Sequence, residues 1–301
     1  MGMLDRKILN GVIDLHIHTG PSVAKRKVDV VEMMIAAEEA GYAGFLVKDH
    51  YAASAHGCLM VEKHISQKGC KAFSSIVMNN AVGGFNIMAL DVAYNMGTRM
   101  VYMPTVSSRL HIEDHRGRKF LGAGNVTQEE NEIYCLKENG ELTDEVIAFL
   151  QYVAEHKDLV LSTGHISWQE TDVLIPKAFE LGVKNIIVNH PNFTVNAPLE
   201  ITAKWGKLGA FIEITACEFG MVLKDDDTHF NSLDLVDRYI EAGVPFDQMF
   251  IVSDFGQSIS PHPVDGLYKF IRLLHDKRGY SVEQLEKLTK KTPARIIGFN
   301  N

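Results

Sequence analysis

Two imidazoles sit two residues apart inside an apolar, β-branched run, Val12-Ile13-Asp14-Leu15-His16-Ile17-His18. Side chains alternate along a strand, so Ile13, Leu15 and Ile17 are expected on one face and Asp14, His16 and His18 on the other. Turned toward the inside of a fold, such imidazoles are costly unless they are hydrogen-bonded or bound to a metal. Three more residues of ligand type end other apolar runs: His165 after Leu159-Val160-Leu161-Ser162-Thr163-Gly164, His190 after Asn185-Ile186-Ile187-Val188-Asn189, and Asp254 after Met249-Phe250-Ile251-Val252-Ser253. Nitrogen and oxygen ligands that leave one coordination position open make a catalytic, zinc-like centre, in which a bound water has a pKa of roughly 7. Asp254 suits both metal binding and proton transfer there, and His190 suits polarisation of a carbonyl. Taken singly, each residue is as well explained as a satisfied polar group at a strand end or, for Asp254, a helix cap. Together they need an architecture that brings five strand ends to one place.

The rest of the chain supplies it. Short apolar runs alternate with amphipathic stretches, the rhythm of βαβ units on a parallel sheet. Eight such runs are expected as strands, over 12–18, 44–50, 71–78, 99–105, 159–165, 185–190, 209–215 and 249–254. Helices are predicted between them, for example Asp29 to Ala40 stopped by Gly41, and Thr143 to His156 opened by Thr143 and Asp144. The pattern predicts an α/β fold, a (β/α)8 TIM barrel in one domain over residues 1–301, with the site at the C-terminal rim of the strands. The step between strands four and five is long, an insertion over about 106–142 with a hairpin turn at Glu138-Asn139-Gly140. Long βα loops cover barrel mouths, so this insertion is a candidate lid.

Further polar residues fall near the same rim. Lys48 and His50 follow strand two and would share a face by alternation, placing an ammonium and another imidazole toward substrate or metal. Asn79, Asn80 and Gly83-Gly84 follow strand three, where small residues let backbone approach a ligand. Arg109, His111 and His115 lie in the insertion, from which an arginine could clamp a substrate carboxylate. Glu213 sits within strand seven as a candidate partner for a ligand, on a face that the pattern leaves open.

A formal charge of −8 among 301 residues disfavours a nucleic-acid surface, and Lys25-Arg26-Lys27 is the densest basic run. No segment approaches the ~20 consecutive apolar residues of a membrane helix, and Met1 to Asn10 lacks the apolar core of a signal peptide. A cytoplasmic protein that acts on a small molecule, without nucleic acid or membrane and with scope to form a homo-oligomer, is expected. The four cysteines contain no C-x-x-C pair and are expected as reduced, structural thiols.

Asp14-Leu15-His16-Ile17-His18, His165, His190 and Val252-Ser253-Asp254 resemble the amidohydrolase superfamily, and the ending Thr292-Pro293-Ala294-Arg295-Ile296-Ile297-Gly298 is similar to the one that follows its last barrel helix. The likeness is strongest to an uncharacterised branch, through His18-Thr19-Gly20-Pro21-Ser22, Val47-Lys48-Asp49-His50, Ala81-Val82-Gly83-Gly84-Phe85-Asn86, Met103-Pro104-Thr105, Ser162-Thr163-Gly164-His165 and Ser253-Asp254-Phe255-Gly256-Gln257. It implies that His16, His18 and Asp254 hold the more buried metal, while His165 and His190 hold a second metal or contact substrate. Many two-metal members carry a carboxylated lysine or a glutamate at the end of strand four; here that strand ends Val101-Tyr102-Met103-Pro104-Thr105, and Lys48 is left as either a bridging carbamate or an ammonium that binds substrate oxygen. Zinc suits the ligands best, with manganese, iron or cobalt as alternatives.

The implied activity is metal-assisted hydrolysis of an amide, cyclic amide, lactone or ester. A one-metal decarboxylase or hydratase could use the same ligands. A phosphoesterase of the polymerase-and-histidinol-phosphatase type shares H-x-H-T and Asp-His, but it would have seven strands and an Asp-x-His ending. A metal-binding protein without turnover is the remaining alternative.

Overall fold

The computed structural model describes residues 4–117, 120–217 and 232–299. All eight expected strands form: β1 (Ile13–Ile17), β2 (Gly44–Val47), β3 (Lys71–Val77), β4 (Met100–Tyr102), β5 (Val160–Ser162), β6 (Asn185–Val188), β7 (Phe211–Thr215) and β8 (Met249–Val252). Each pairs in parallel with its neighbour in sequence, in the order β1 to β8. The cylinder closes where Asp254 N–H donates to His16 O at 2.8 Å and His18 N–H donates to Phe255 O at 2.8 Å. The chain is thus the (β/α)8 barrel that its sequence rhythm predicts.

Helices alternate with the strands and are delimited by local chemistry. Val30–Ala40 begins at Asp29 and Glu32, whose side chains cap each other's backbone N–H, and ends at Gly41, left-handed at φ 79°. Asp144–Glu155 is capped by the Thr143 hydroxyl. Two apolar layers result. One lies inside the barrel, where Ile13, Leu15, Leu46, Val77, Met100 and Phe250 pack together with Ile296 and Ile297 of the final helix, Thr292–Ile297. That helix closes the N-terminal end, since Asn185 at the start of β6 donates to Ile296 O. The other layer joins the outer strand faces to the helices, and with the N-terminal end plugged the polar groups collect at the opposite rim.

The strands stop earlier than expected at that rim. His18, Lys48, His50, His165, His190 and Asp254 all follow the last ladder residue of their strands, where the chain peels into βα loops. Strict alternation in β1 also fails. Its register against β2 shifts between Asp14 and Ile17, a bulge that puts Ile13 and Leu15 in the inner layer and Ile17 in the outer one. Asp14 therefore does not join His16 and His18; its carboxylate instead accepts N–H of Ser253 at 3.0 Å and of His16 at 3.3 Å, between β1 and β8.

The insertion carries a short helix, Arg109–Asp114, capped by Ser108, and a turn in which Gly140 N–H donates to Lys137 O while Leu136 and Leu142 pair antiparallel. Arg118 and Lys119, within the expected insertion, lie outside the described residues. All four cysteines are buried and none is in a disulfide. Among the described residues no helix is long and apolar enough to cross a membrane.

Candidate metal centre

Three ligand atoms meet at the rim. Asp254 Oδ1 lies 3.1 Å from His16 Nε2 and 3.2 Å from His18 Nε2. One ligand atom from each residue falls within 4.8 Å of the other two, and all three residues are buried. On its far side the His16 ring meets Glu213, with Nδ1 to Oε1 at 3.1 Å. Burial raises the Glu213 pKa to about 7, against the pull of His190 and Lys48; in its ionised form Glu213 accepts the Nδ1 proton and leaves Nε2 with a lone pair aimed at Asp254. Burial pushes the His16 pKa down to about 3 and that of His18 well below the ordinary value, so both rings are neutral. Nitrogens of two neutral imidazoles and a carboxylate oxygen thus meet in one space, a donor set that a divalent cation satisfies.

Backbone geometry holds Asp254 there. It is left-handed at φ 49°, a conformation that Asp tolerates better than most residues. Two residues on, Gly256 has φ 118° and lies so close to His18 that an added Cβ would come within 1.7 Å of the His18 carbonyl oxygen. Only glycine permits that approach.

Around the three ligands runs a closed circuit of imidazoles. Ring centroids are 5.3 Å apart for His16 and His18, 5.1 Å for His18 and His50, 5.8 Å for His50 and His165, 5.1 Å for His165 and His190, and 6.1 Å for His190 and His16. Each outer member has a fixed second contact. His190 donates from Nδ1 to Phe193 O at 3.2 Å, which leaves Nε2 an acceptor. His50 Nδ1 meets Thr105 Oγ1 at 2.8 Å, and that hydroxyl also accepts from Asn79 Nδ2 at 2.7 Å. His165 Nδ1 faces His111 Nδ1 at 3.1 Å, so the two share one proton. Burial depresses the pKa of His50, His111, His165 and His190 as well.

Lys48 reaches into the circuit. Its Nζ lies 3.1 Å from His16 Nε2 and 4.7 Å over the Tyr102 ring at the end of β4. Burial lowers its pKa, while Asp254 and then Glu213 counteract the shift. Lys48 thus faces the same lone pair as the cation site.

The rim opens into a cavity of about 510 Å³, lined by His18, Lys48, His50, His111, His165, His190 and Asp254 together with Arg26, Phe120 and Gln257. Its size suits a small molecule. From the insertion, the Phe120 ring stands edge-on to His50 at 5.6 Å and to His111 at 4.8 Å. The insertion expected over about 106–142 lines the cavity through His111, His115 and Phe120.

Two of the expected contacts lie elsewhere. Asn80 turns its amide to Glu130 Oε2 and Asn131 O, which tie it to the insertion and keep it out of the cavity. Arg109 is half-exposed, 3.5 Å from Glu113 and over the Tyr134 ring, because its helix presents His111 inward and Arg109 outward. Glu213, whose face the pattern left open, points inward. Arg26, Phe120 and Gln257 line the cavity without a sequence signal that marks them as site residues, and Arg26 is only the middle of a basic run in the sequence.

Compared with solved structures, the barrel superposes on a protein from Pseudomonas putida assigned as a 2-pyrone-4,6-dicarboxylic acid hydrolase, with TM-score 0.61, 11% identity and coverage of 97% of this chain and 98% of that chain. It is similar to an amidohydrolase from Pseudomonas aeruginosa, with TM-score 0.59, 14% identity and 97% of each chain covered. Organophosphorus hydrolase from Deinococcus radiodurans gives TM-score 0.52, 13% identity and coverage of 99% of this chain and 95% of that chain. The fold is therefore that of the amidohydrolase-type barrels. Within that class, the chain belongs to a family of unknown function, DUF6282, whose model matches residues 11–213. No curated protein matches the chain.

Proposed function

We propose that this protein is a metal-dependent hydrolase of a small-molecule amide, cyclic amide, lactone or ester, with one divalent cation, zinc by ligand type, held by His16, His18 and Asp254. The convergence of two neutral imidazole nitrogens on Asp254 Oδ1 carries this reading. Such a cation supplies a Lewis acid that polarises a carbonyl and makes water nucleophilic near neutral pH.

The chain's own groups would do the rest. Glu213 fixes the His16 ring through Nδ1, and the Phe193 carbonyl fixes the His190 ring so that its Nε2 faces the cavity. His190 and the Lys48 ammonium sit where they can bind the substrate's carbonyl oxygen, and Asp254 can take a proton from the attacking water and return it to the leaving atom. Phe120 lines the cavity edge-on to His50 and supplies an apolar wall beside the site.

That the structural neighbours bear the names of hydrolases favours hydrolysis over decarboxylation or hydration. Eight strands and the absence of an Asp-x-His ending speak against the phosphoesterase alternative. The test is turnover of a panel of lactones, cyclic imides and esters by zinc-loaded protein, with and without chelator. Hydrolysis that falls at least a thousandfold on metal removal and in His16→Ala is expected; turnover that survives metal removal, or release of carbon dioxide in place of hydrolysis, would overturn it.

A further inference from the structure

One cation of the cavity has no place in the mechanism. Arg26 lies in the loop between β1 and the first long helix, pinned to the loop after β8: it pairs antiparallel with Gln257, and Lys27 N–H donates to Gly256 O at 2.8 Å. Gln257 in turn donates to Asp254 O at 2.8 Å, so the Arg26 backbone stands one residue's contact away from the metal ligand. Arg26 lines the same cavity as His18, Lys48 and Asp254.

Its Nε and Nη2 are both buried, and neither has a hydrogen-bond partner among the described residues. A guanidinium presents Nε–H and one Nη2–H side by side, in parallel, the edge that meets a planar carboxylate with two hydrogen bonds. Leaving such donors buried and unpaired is unfavourable, because they have given up water and received nothing in return. Asp49 and Asp254 act on Arg26 through their charge, but neither is hydrogen-bonded to it: Asp49 Oδ1 accepts from Tyr51 and Ala52 N–H, its Oδ2 is buried with no partner among the described residues, and Asp254 Oδ1 faces the two metal-binding imidazoles.

We propose that the Nε/Nη2 edge of Arg26 is the receptor for a substrate carboxylate, so that the molecule hydrolysed is an anion whose carboxylate is held by Arg26 while its scissile carbonyl lies at the His16–His18–Asp254 centre. This deepens the hydrolase reading, on which it rests for the reacting bond. The loop that follows the H-x-H strand is then the specificity element, and neutral esters of the same acids are poor substrates.

Binding, read without turnover, tests the assignment. Three probes, the isosteric pair benzoate and benzamide and the phosphoryl compound phenyl phosphate, are titrated calorimetrically into zinc-loaded wild type, Arg26→Gln and Arg26→Lys, with the zinc content measured on each preparation. Benzoate should bind wild type at least tenfold more tightly than benzamide. It should lose at least tenfold in Arg26→Gln at unchanged zinc content, and regain only part of this in Arg26→Lys, which restores the charge without the two-pronged edge. Unchanged benzoate affinity in both variants would overturn the proposal and assign the anion to the cation or Lys48. Phenyl phosphate bound tenfold more tightly than benzoate, and lost with Arg26, would overturn the carboxylate class in favour of a phosphoryl group. Arginine-dependent benzoate binding by a protein that hydrolyses nothing would count against the hydrolase reading and leave Arg26 as an anion receptor.

Discussion

Glu213 decides which nitrogen of His16 faces the ligand space, and so tests the centre without touching it. Glu213→Gln keeps a hydrogen-bonding group but removes the charge that holds the Nδ1 proton, and zinc affinity should fall by about 10–100-fold in a chelator competition; unchanged affinity would mean that another group orients the ring. Protonation gives a second test. Burial holds six histidines, at 16, 18, 50, 111, 165 and 190, below their ordinary value of 6.5, with His16 and His111 at about 3. Each therefore costs stability as pH falls below 6.5, because the unfolded chain takes up a proton that the folded one refuses. Two buried carboxyls act in the opposite direction, Asp14 pushed up to about 7 and Glu213 raised, both by burial; they favour the fold at low pH and lose that contribution as pH rises through their folded values. Six groups outweigh two, and the net cost grows as pH falls below 6.5. The melting temperature of metal-free protein should fall between pH 7 and pH 5.5, and an unchanged or higher value at pH 5.5 would show that the rings are already charged in the fold. Individual residues were legible in the sequence where a polar side chain broke an apolar run, as at His16, His165, His190 and Asp254. Arg26 gave no such signal, because a basic loop residue looks the same whether its guanidinium is solvated or buried.

At the scale of elements, strands and their order followed from hydrophobic period and turn residues, while orientation at the rim did not. Alternation placed Asp14 beside His16 and His18; the bulge between Asp14 and Ile17 removed it, and a bulge is fixed by pairing with β2, which sequence period does not report. Asn80 and Arg109 were misplaced for a related reason, since contacts with Glu130, Asn131, Glu113 and Tyr134 set the direction of loop and short-helix side chains. The loop after β8 offers a direct comparison between two glycines. Gly256→Ala would drive a Cβ into the His18 carbonyl, whereas Gly279→Ala, left-handed at φ 79° after the helix Pro263–Arg278, meets nothing within 4 Å. Urea denaturation should show a loss of about 1 kcal/mol for Gly279→Ala and clearly more for Gly256→Ala, with zinc binding impaired only in the latter. Equal losses would mean that the contact between this loop and His18 is not tight in solution.

For the whole molecule, the barrel is a means of bringing strands distant in sequence to one rim. His16 and His18 come from β1, Lys48 and His50 from β2, His165 from β5, His190 from β6, Glu213 from β7 and Asp254 from β8, and the closure of β8 on β1 brings the first and last ligands together. The core that supports them is packed by other residues, in the two apolar layers, so the ligands can be removed without removing the fold. The most direct measurement is the zinc content per chain of wild type, His16→Ala and Asp254→Ala, purified without added metal and checked for folding by circular dichroism. About one equivalent in wild type, lost in both variants while the spectrum is unchanged, is the predicted result; zinc retained by either folded variant would contradict the centre assigned to His16, His18 and Asp254.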